Sequence, residues 1–189
     1  MIENRPLAER MRPSKLSDYI SQQHLVGEKG AIRYQIDNGI LPSVIFWGPP
    51  GTGKTTLAYI IANESHRAFF SLSAISSGIK DVIERSKKEQ GLFTKKNPII
   101  FIDEIHRFNK TQQDSLLEAV ERGWVTLIGA TTENPSFEVI PALLSRCQVY
   151  TLNPFSENDL KELLFRAIKT DSILQKKNIK IEETEALFR

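Results

Sequence analysis

The sequence predicts an α/β fold built on a parallel sheet with crossover helices, and three observations carry that prediction. The apolar run Val44-Ile45-Phe46-Trp47 leads through the glycine-rich stretch Gly48-Pro49-Pro50-Gly51-Thr52-Gly53-Lys54-Thr55 into a helical pattern, so the order is strand, loop, helix. A second run, Pro98-Ile99-Ile100-Phe101-Ile102, is too short for a helix and nearly all apolar, as suits a central parallel strand covered on both faces. Strand-like and helix-like segments alternate along residues 1–152, the pattern of sheets whose ligands sit beyond the carboxyl ends of the strands.

The N-terminal stretch, residues 5–25, reads as a turn and a short irregular segment, because Pro13 disfavours helix at Arg12. Its apolar side chains Leu16, Tyr19 and Ile20 leave two readings open, a cover for a flat nucleobase or a lid over the sheet edge. Ala31 to Asn38 has a helical pattern that Gly39 is placed to end. In the next helix, Lys54 to Glu64, the spacing of Leu57, Ile60 and Ile61 turns one face inward. Ala68 to Leu72 is a second strand. A further helix is expected to start at Ser76-Ser77-Gly78, to carry Ile79, Val82 and Ile83, and to stop at Gly91.

After the central strand, a helix from Thr111 to Glu121 is expected, with Thr111 as cap, Leu116, Leu117 and Val120 inward, and Gly123 as stop. Val125 to Ala130 is a strand ending at Thr131-Thr132, Pro141 to Ser145 a short helix, and Gln148 to Leu152 a last strand. The character changes at Asn153-Pro154. Ser156 can cap a helix with Asp159 three residues on, and Leu160, Leu163, Leu164, Ala167 and Ile168 form one apolar stripe. A second helix is expected near Glu182. Residues 153–189 thus read as the beginning of a purely helical unit. A helix pair buries little surface, which predicts that the sequence is part of a longer protein.

Bulk properties narrow the class. A chain of 189 residues with 40% hydrophobic side chains can bury one sizeable core. Met1-Ile2-Glu3-Asn4-Arg5 lacks the apolar core of a secretion signal and no apolar run is long enough to span a membrane, so a soluble cytoplasmic protein is expected. One cysteine, Cys147, excludes an internal disulfide and reads as a small buried side chain; His24, His66 and His106 are too scattered to suggest a metal cluster. A net charge of +2 leaves a nucleic-acid partner open.

The chemistry sits at the strand ends. Gly48, Pro49, Pro50, Gly51, Thr52 and Gly53 let backbone N–H groups turn around an anion, Lys54 can reach the outer phosphates, and the Thr55 hydroxyl can meet a magnesium ion. This is a Walker A loop, and it predicts nucleoside triphosphate binding. Asp103, at the end of the central strand, would hold the magnesium and Glu104 would polarise an attacking water, which favours hydrolysis over transfer to a second substrate. Thr132 is placed to help position that water, with Asn134 in reserve. Arg146 has two readings, a solvated surface residue or an arginine finger reaching a neighbouring subunit's triphosphate. Lys87-Lys88, Lys95-Lys96 and the helix start at Ser76 to Lys80 read first as solvated charges, with a DNA phosphate contact as the alternative, and Lys176-Lys177 reads the same way. His106, close behind Glu104, has two readings, a catalytic group or, in preference, a supporting or packing residue.

With these residues in view, the sequence resembles the AAA+ ATPases and, within them, the clamp-loader-like branch. The resemblance rests on Gly48 to Thr55, Ile100-Phe101-Ile102-Asp103-Glu104, Gly129-Ala130-Thr131-Thr132 and Ser145-Arg146-Cys147. Longer matches at Ala8 to Pro13, Asp103 to Lys110 and Ala130 to Glu138 resemble the family of replication-associated recombination proteins and the Werner-interacting ATPase. The resemblance implies a five-stranded AAA+ P-loop sheet flanked by helices, followed by the start of a small helical lid. It implies ATP and magnesium as cofactors and hydrolysis at subunit interfaces, with Arg146 as the finger in trans, Thr132 as the first sensor and the Arg12 to Gln23 segment, with Pro13 and Ile20, in the adenine pocket. It also implies a homo-oligomer, associated with the nucleoid, that acts on DNA ends, gaps or stalled forks together with single-stranded-DNA-binding protein. A lid arginine acting as second sensor and a C-terminal oligomerisation domain belong to that pattern and lie outside this sequence. A clamp-loader-like binding subunit with little turnover, or a protein-remodelling ATPase, stands as the alternative.

Overall fold

Five short strands, β1 (Val44–Trp47), β2 (Phe69–Leu72), β3 (Ile99–Ile102), β4 (Thr126–Thr131) and β5 (Gln148–Thr151), pair in parallel in the order β2-β3-β4-β1-β5. The computed structural model describes residues 5–73, 81–84, 96–177, 179 and 181. The helices follow as α1 (Leu7–Arg10), α2 (Gln23–Val26), α3 (Ala31–Asp37), α4 (Lys54–Ser65), α5 (helical residues 81–84), α6 (Lys110–Glu121), α7 (Pro135–Glu138), α8 (Pro141–Leu144), α9 (Glu157–Thr170) and α10 (Ser172–Lys176).

Side chains alternate across the pleat, so β1, β3 and β4 each feed two cores. Val44, Phe46, Ile99, Phe101, Ile128 and Ala130 share one with Leu57, Ile60 and Ile61 of α4. Ile45, Ile100, Ile102 and Leu127 share the other with Leu116 and Ala119 of α6. All four side chains of β3 are buried, as a strand between two covered faces requires. On the α4 face the rings of Phe69 and Phe101 stack at 5.8 Å, extending the packed layer to the sheet edge.

The five strands stand where the sequence puts them, with ends shifted by a residue. The shift matters at β4, where Thr131 is the last strand residue and is fully buried. Four local expectations change. Residues 5–25 contain α1, a 3₁₀ turn at Leu16–Asp18 and α2 where an irregular segment is expected. The cap of α6 is Asn109, not Thr111: Asn109 Oδ1 accepts from Gln112 N at 2.9 Å and Gln112 Oε1 accepts from Asn109 N at 2.9 Å, a reciprocal pair that Thr111 lies inside. The short helix α7 follows Asn134, which caps it by accepting from Ser136 N at 3.0 Å. The short helix α10 comes directly after α9. The expected cap of α9 is present, with Ser156 and Asp159 satisfying each other's backbone N–H groups. The expected helix start at residues 76–80, its stop at Gly91 and the helix near Glu182 lie outside the described residues. Among the described residues no helix is long and apolar enough to cross a membrane.

One ion pair ties the chain's two ends together. Arg10 Nε and Nη2 donate to the two carboxylate oxygens of Asp171 at 2.7 and 3.0 Å, a fork joining the end of α1 to the residue between α9 and α10. Asp171 is 5% exposed and also accepts from the N–H groups of Ile173 and Leu174, capping α10. The Arg10 hydrogen bond holds the Asp171 carboxyl down at about 2.

Two outcomes follow from this packing. Phe101→Ala, which empties a fully buried site between two strands, is expected to cost about 3–5 kcal/mol of stability, read as a lower urea midpoint with an unchanged slope. Because Asp171 titrates lower when folded than the roughly 3.9 of a free aspartate, the pair stabilises the fold above that value. That contribution fades as pH falls toward about 2. Arg10→Met is therefore expected to lower Tm at pH 7, and the difference from wild type to shrink between about pH 4 and about pH 2. A gap that stays constant across that window would remove Asp171 as its cause.

Candidate nucleotide-binding and hydrolytic site

The ends of β1, β3 and β4 meet on one edge of the sheet because their parallel registers are nearly level: Trp47 lies opposite Thr131, and Ile102 opposite Gly129. Gly48 begins the loop pinned between strands, donating its N–H to Thr131 O at 3.2 Å. A Cβ on Gly48 would stand 2.3 Å from Leu152 O, so only glycine permits this passage. Gly53 closes the loop as the N-cap of α4 with φ +90°, in the left-handed region, and faces the Tyr19 hydroxyl.

The first turn of α4 brings Lys54 and Thr55 into the loop. Lys54 is 8% exposed, and its Nζ donates to the carbonyls of Gly48 and Pro49 at 2.7 and 2.8 Å. Burial pulls its pKa below that of a free lysine, and the nearby Glu104 and Asp103 charges partly offset the shift. Thr55 Oγ1 donates to Asp103 Oδ2 at 3.2 Å, joining residues 48 positions apart in sequence. A hydroxyl beside a carboxylate is an all-oxygen donor set of the kind magnesium takes, so these two residues fit the ion. Magnesium supplies charge neutralisation on phosphate oxygens when bound.

Glu104 follows Asp103 with φ +54° and ψ +53°, a left-handed conformation that non-glycine residues adopt at a cost. It caps the 3₁₀ turn Ile105–Arg107, which returns His106 to the Glu104 carboxylate. The buried Oε2 atom of Glu104 has no aligned hydrogen-bond partner among the described residues, and His106 Nδ1 stands 3.1 Å from it. Thr132 follows the buried Thr131 and is half-buried. Asn134, the reserve for that position, is committed to capping α7.

A cavity of about 440 Å³ lies beside the loop. Its floor is Gly51, Gly53 and Thr56, one wall is Met11, Arg12, Pro13, Tyr19 and Ile20, and the other is Phe155, Leu163, Leu164, Arg166 and Ala167. The Tyr19 hydroxyl donates toward the carbonyls of Thr52 and Gly53 at 3.3 and 3.2 Å, and burial pushes its pKa up. Arg12 borders the cavity with its guanidinium over the Tyr59 ring, 5.4 Å from its centre. Arg12, Pro13 and Ile20 thus line the same cavity.

The wall from α9 adds residues absent from the sequence-derived candidates, and the stripe Leu160, Leu163, Leu164, Ala167 is the sequence signal for it. Arg166 also lines this wall. It donates through Nη1 to Asp18 O and through Nη2 to Glu162 at 3.0 Å, so a basic group from the lid faces the N-terminal segment.

Arg146 is not joined to the phosphate loop by any described contact. It follows α8, pairs with Glu121 at the end of α6, and donates to Ala142 O at 2.8 Å and Ser145 Oγ at 3.0 Å. Neighbouring Cys147 is packed against the α6-side core, where burial pushes its thiol up to about 12 and leaves it protonated. Of the basic positions considered for DNA, residues 78–80, 87, 88 and 95 lie outside the described residues, while Lys96 donates to Ser65 O at 3.1 Å.

This geometry has counterparts among known proteins. The chain is 48% identical over 182 residues to replication-associated recombination protein A of Coxiella burnetii, covering 94% of this chain and 40% of that one. It is 46% identical over 179 residues to ATPase WRNIP1 of Dictyostelium discoideum, covering 94% of this chain and 20% of that one. The chain therefore spans two-fifths or less of the length of these two relatives. Among solved structures, the RuvB Holliday junction branch migration motor of Thermotoga maritima superimposes with a TM-score of 0.69 at 31% identity, over 84% of this chain and 54% of that one. Residues 44–155, from β1 to just past β5, match the profile of the ATPase family associated with various cellular activities, AAA, and with its Walker A loop, acidic strand end and five-stranded parallel sheet the chain belongs to that family.

Proposed function

We propose that the chain is the ATPase module of a protein of DNA replication, recombination and repair. In this reading it binds ATP with magnesium, hydrolyses it at the interface between like subunits, and uses the cycle to act on DNA ends, gaps or stalled forks. The observation that carries the hydrolytic part is the Thr55 to Asp103 hydrogen bond, which sets the phosphate loop against the acidic strand end with Glu104 beside it. The DNA part is supported by the names of the relatives, replication-associated recombination protein A and the RuvB branch migration motor.

Each residue then has a task. Backbone N–H groups of Gly51 to Lys54 bind phosphate oxygens, and Lys54 exchanges its two carbonyl partners for the outer phosphates. Thr55 and Asp103 hold the magnesium. Glu104 takes a proton from the attacking water, and Thr132 orients that water. The apolar walls from Pro13, Ile20 and the lid hold the adenine. Arg146, held by Glu121 away from its own loop, reaches the triphosphate of an adjacent subunit. Single-stranded-DNA-binding protein is the expected working partner, in the cytoplasm at the nucleoid.

The two acidic and basic poles of the site separate in experiment. Lys54→Ala is expected to abolish binding of a fluorescent ATP analogue. Glu104→Gln should keep that binding and lower turnover by about 10²-fold or more; hydrolysis at the wild-type rate would take Glu104 out of its role. Arg146→Ala is expected to lower turnover by about 10³-fold without loss of nucleotide binding. Mixing Arg146→Ala with Glu104→Gln protein should restore part of the activity, since one kind of interface then carries both intact residues; no recovery at any ratio would exclude a finger in trans. Steady-state ATPase with gapped DNA, duplex ends, single strands and unfolded polypeptide, side by side, tests the substrate class. Stimulation by polypeptide alone would replace DNA with protein remodelling.

A further inference from the structure

We infer that His106 is a positioning residue for Glu104, holding its carboxylate against the end of β4. The inference rests on the hydrolytic reading above and deepens it. Its basis is a three-residue cluster. His106 Nδ1 lies 3.1 Å from Glu104 Oε2 and 3.0 Å from Thr131 Oγ1, with the imidazole side chain 17% exposed. Thr131, fully buried, accepts from Glu133 N at 3.0 Å and has Glu133 O at 3.2 Å.

Counting protons shows what holds this cluster together. The Thr131 hydroxyl has one proton to give, and a carboxylate has none. If Nδ1 were bare, Thr131 would donate to it and the ring lone pair would face the Glu104 carboxylate, two electron-rich atoms in contact. With the proton on Nδ1, the ring N–H donates to Thr131 and sets its positive edge 3.1 Å from the Glu104 carboxylate, and the Thr131 proton goes to Glu133 O. Every close approach is then attractive. The arrangement selects a ring that donates at Nδ1.

The backbone explains why the partner must be this residue. β3 ends at Ile102 opposite Gly129, but β4 runs on to Thr131. The left-handed turn at Glu104 and the 3₁₀ turn after it carry the chain alongside those last residues of β4. Ile105 packs against Gly129, where an added Cβ would meet Ile105 Cδ1 at 3.1 Å, and His106 meets Thr131. The imidazole therefore links Glu104 to the strand end that precedes Thr132. Its N–H is not aligned on Oε2, so the carboxylate is steadied without being locked, and it can turn toward a water near the outer phosphate.

The test compares His106→Leu, which fills the space but donates nothing, with His106→Asn, whose side-chain amide offers a donor near the position of Nδ1. His106→Leu is expected to lower kcat by about 10²-fold while leaving KM and ATP-analogue binding within about twofold, as a misplaced reacting group does. His106→Asn should recover most of that loss. Thr131→Val, which keeps the shape and removes the hydroxyl that steadies the ring, should also lower kcat and decides the matter if His106→Leu does not fold. A wild-type kcat in His106→Leu, an Asn variant as slow as the Leu variant, or, where the Leu variant does not fold, a wild-type kcat in Thr131→Val, would overturn the inference. Glu104→Gln measured in parallel keeps the two readings apart: if it turns over normally the hydrolytic reading fails, and if it is slow while the His106 variants are fast only this inference fails.

Discussion

The parallel pairing of β4 with β3 on one side and β1 on the other is the constraint on which the rest of the site depends. Parallel strands point their carboxyl ends the same way, so the chain is delivered to one edge three times, at Gly48, Asp103 and Thr131. Because β4 extends two residues past the level of Ile102, the peptide leaving β3 must travel along it before α6 can start. That detour holds the strained Glu104 and the 3₁₀ turn. The positive φ of Glu104 falls within that detour, next to the packing of Ile105 against Gly129.

Coverage of the site comes from the chain's two ends. The N-terminal segment is fixed to the core by buried Leu16, Tyr19 and Ile20, and Leu16 N donates to Glu64 of α4 at 2.7 Å. Helix α9 is amphipathic, and Ala167 is its buried residue; Leu163 and Leu164 line the cavity beside it. Neither wall encloses a ligand alone. The Arg10 to Asp171 fork joins the two segments that supply these walls, a polar contact between residues 161 positions apart in sequence. The cavity's polar floor and apolar walls suit a ligand with phosphates at one end and a flat ring at the other.

Arg146 behaves differently from the residues around the loop. It is half-exposed and engaged with Glu121, Ala142 and Ser145 on the α6 and α8 side of the molecule. An exposed ion pair of this kind contributes little to stability, so the guanidinium can be drawn away at small cost. That is compatible with work on another subunit's nucleotide.

Much of this was legible in the amino-acid order alone. Runs such as Val44-Ile45-Phe46-Trp47 and Ile99-Ile100-Phe101-Ile102 point to buried parallel strands because short apolar runs rich in β-branched and aromatic residues suit a strand covered on both faces. The Gly48 to Thr55 spacing determines an anion-binding loop because backbone sterics act over a few residues. Asp103-Glu104 was readable as the acidic half for the same reason. Two differences are local: Asn109, not Thr111, caps α6 through Gln112 three residues on, and Asn134 is committed to the start of α7. The rest depends on partners far away along the chain. The Arg10 to Asp171 fork and the contact of His106 with Thr131 have no local signature. They exist because strand register and helix packing bring together groups separated by 25 to 161 residues, and only the tertiary structure decides that.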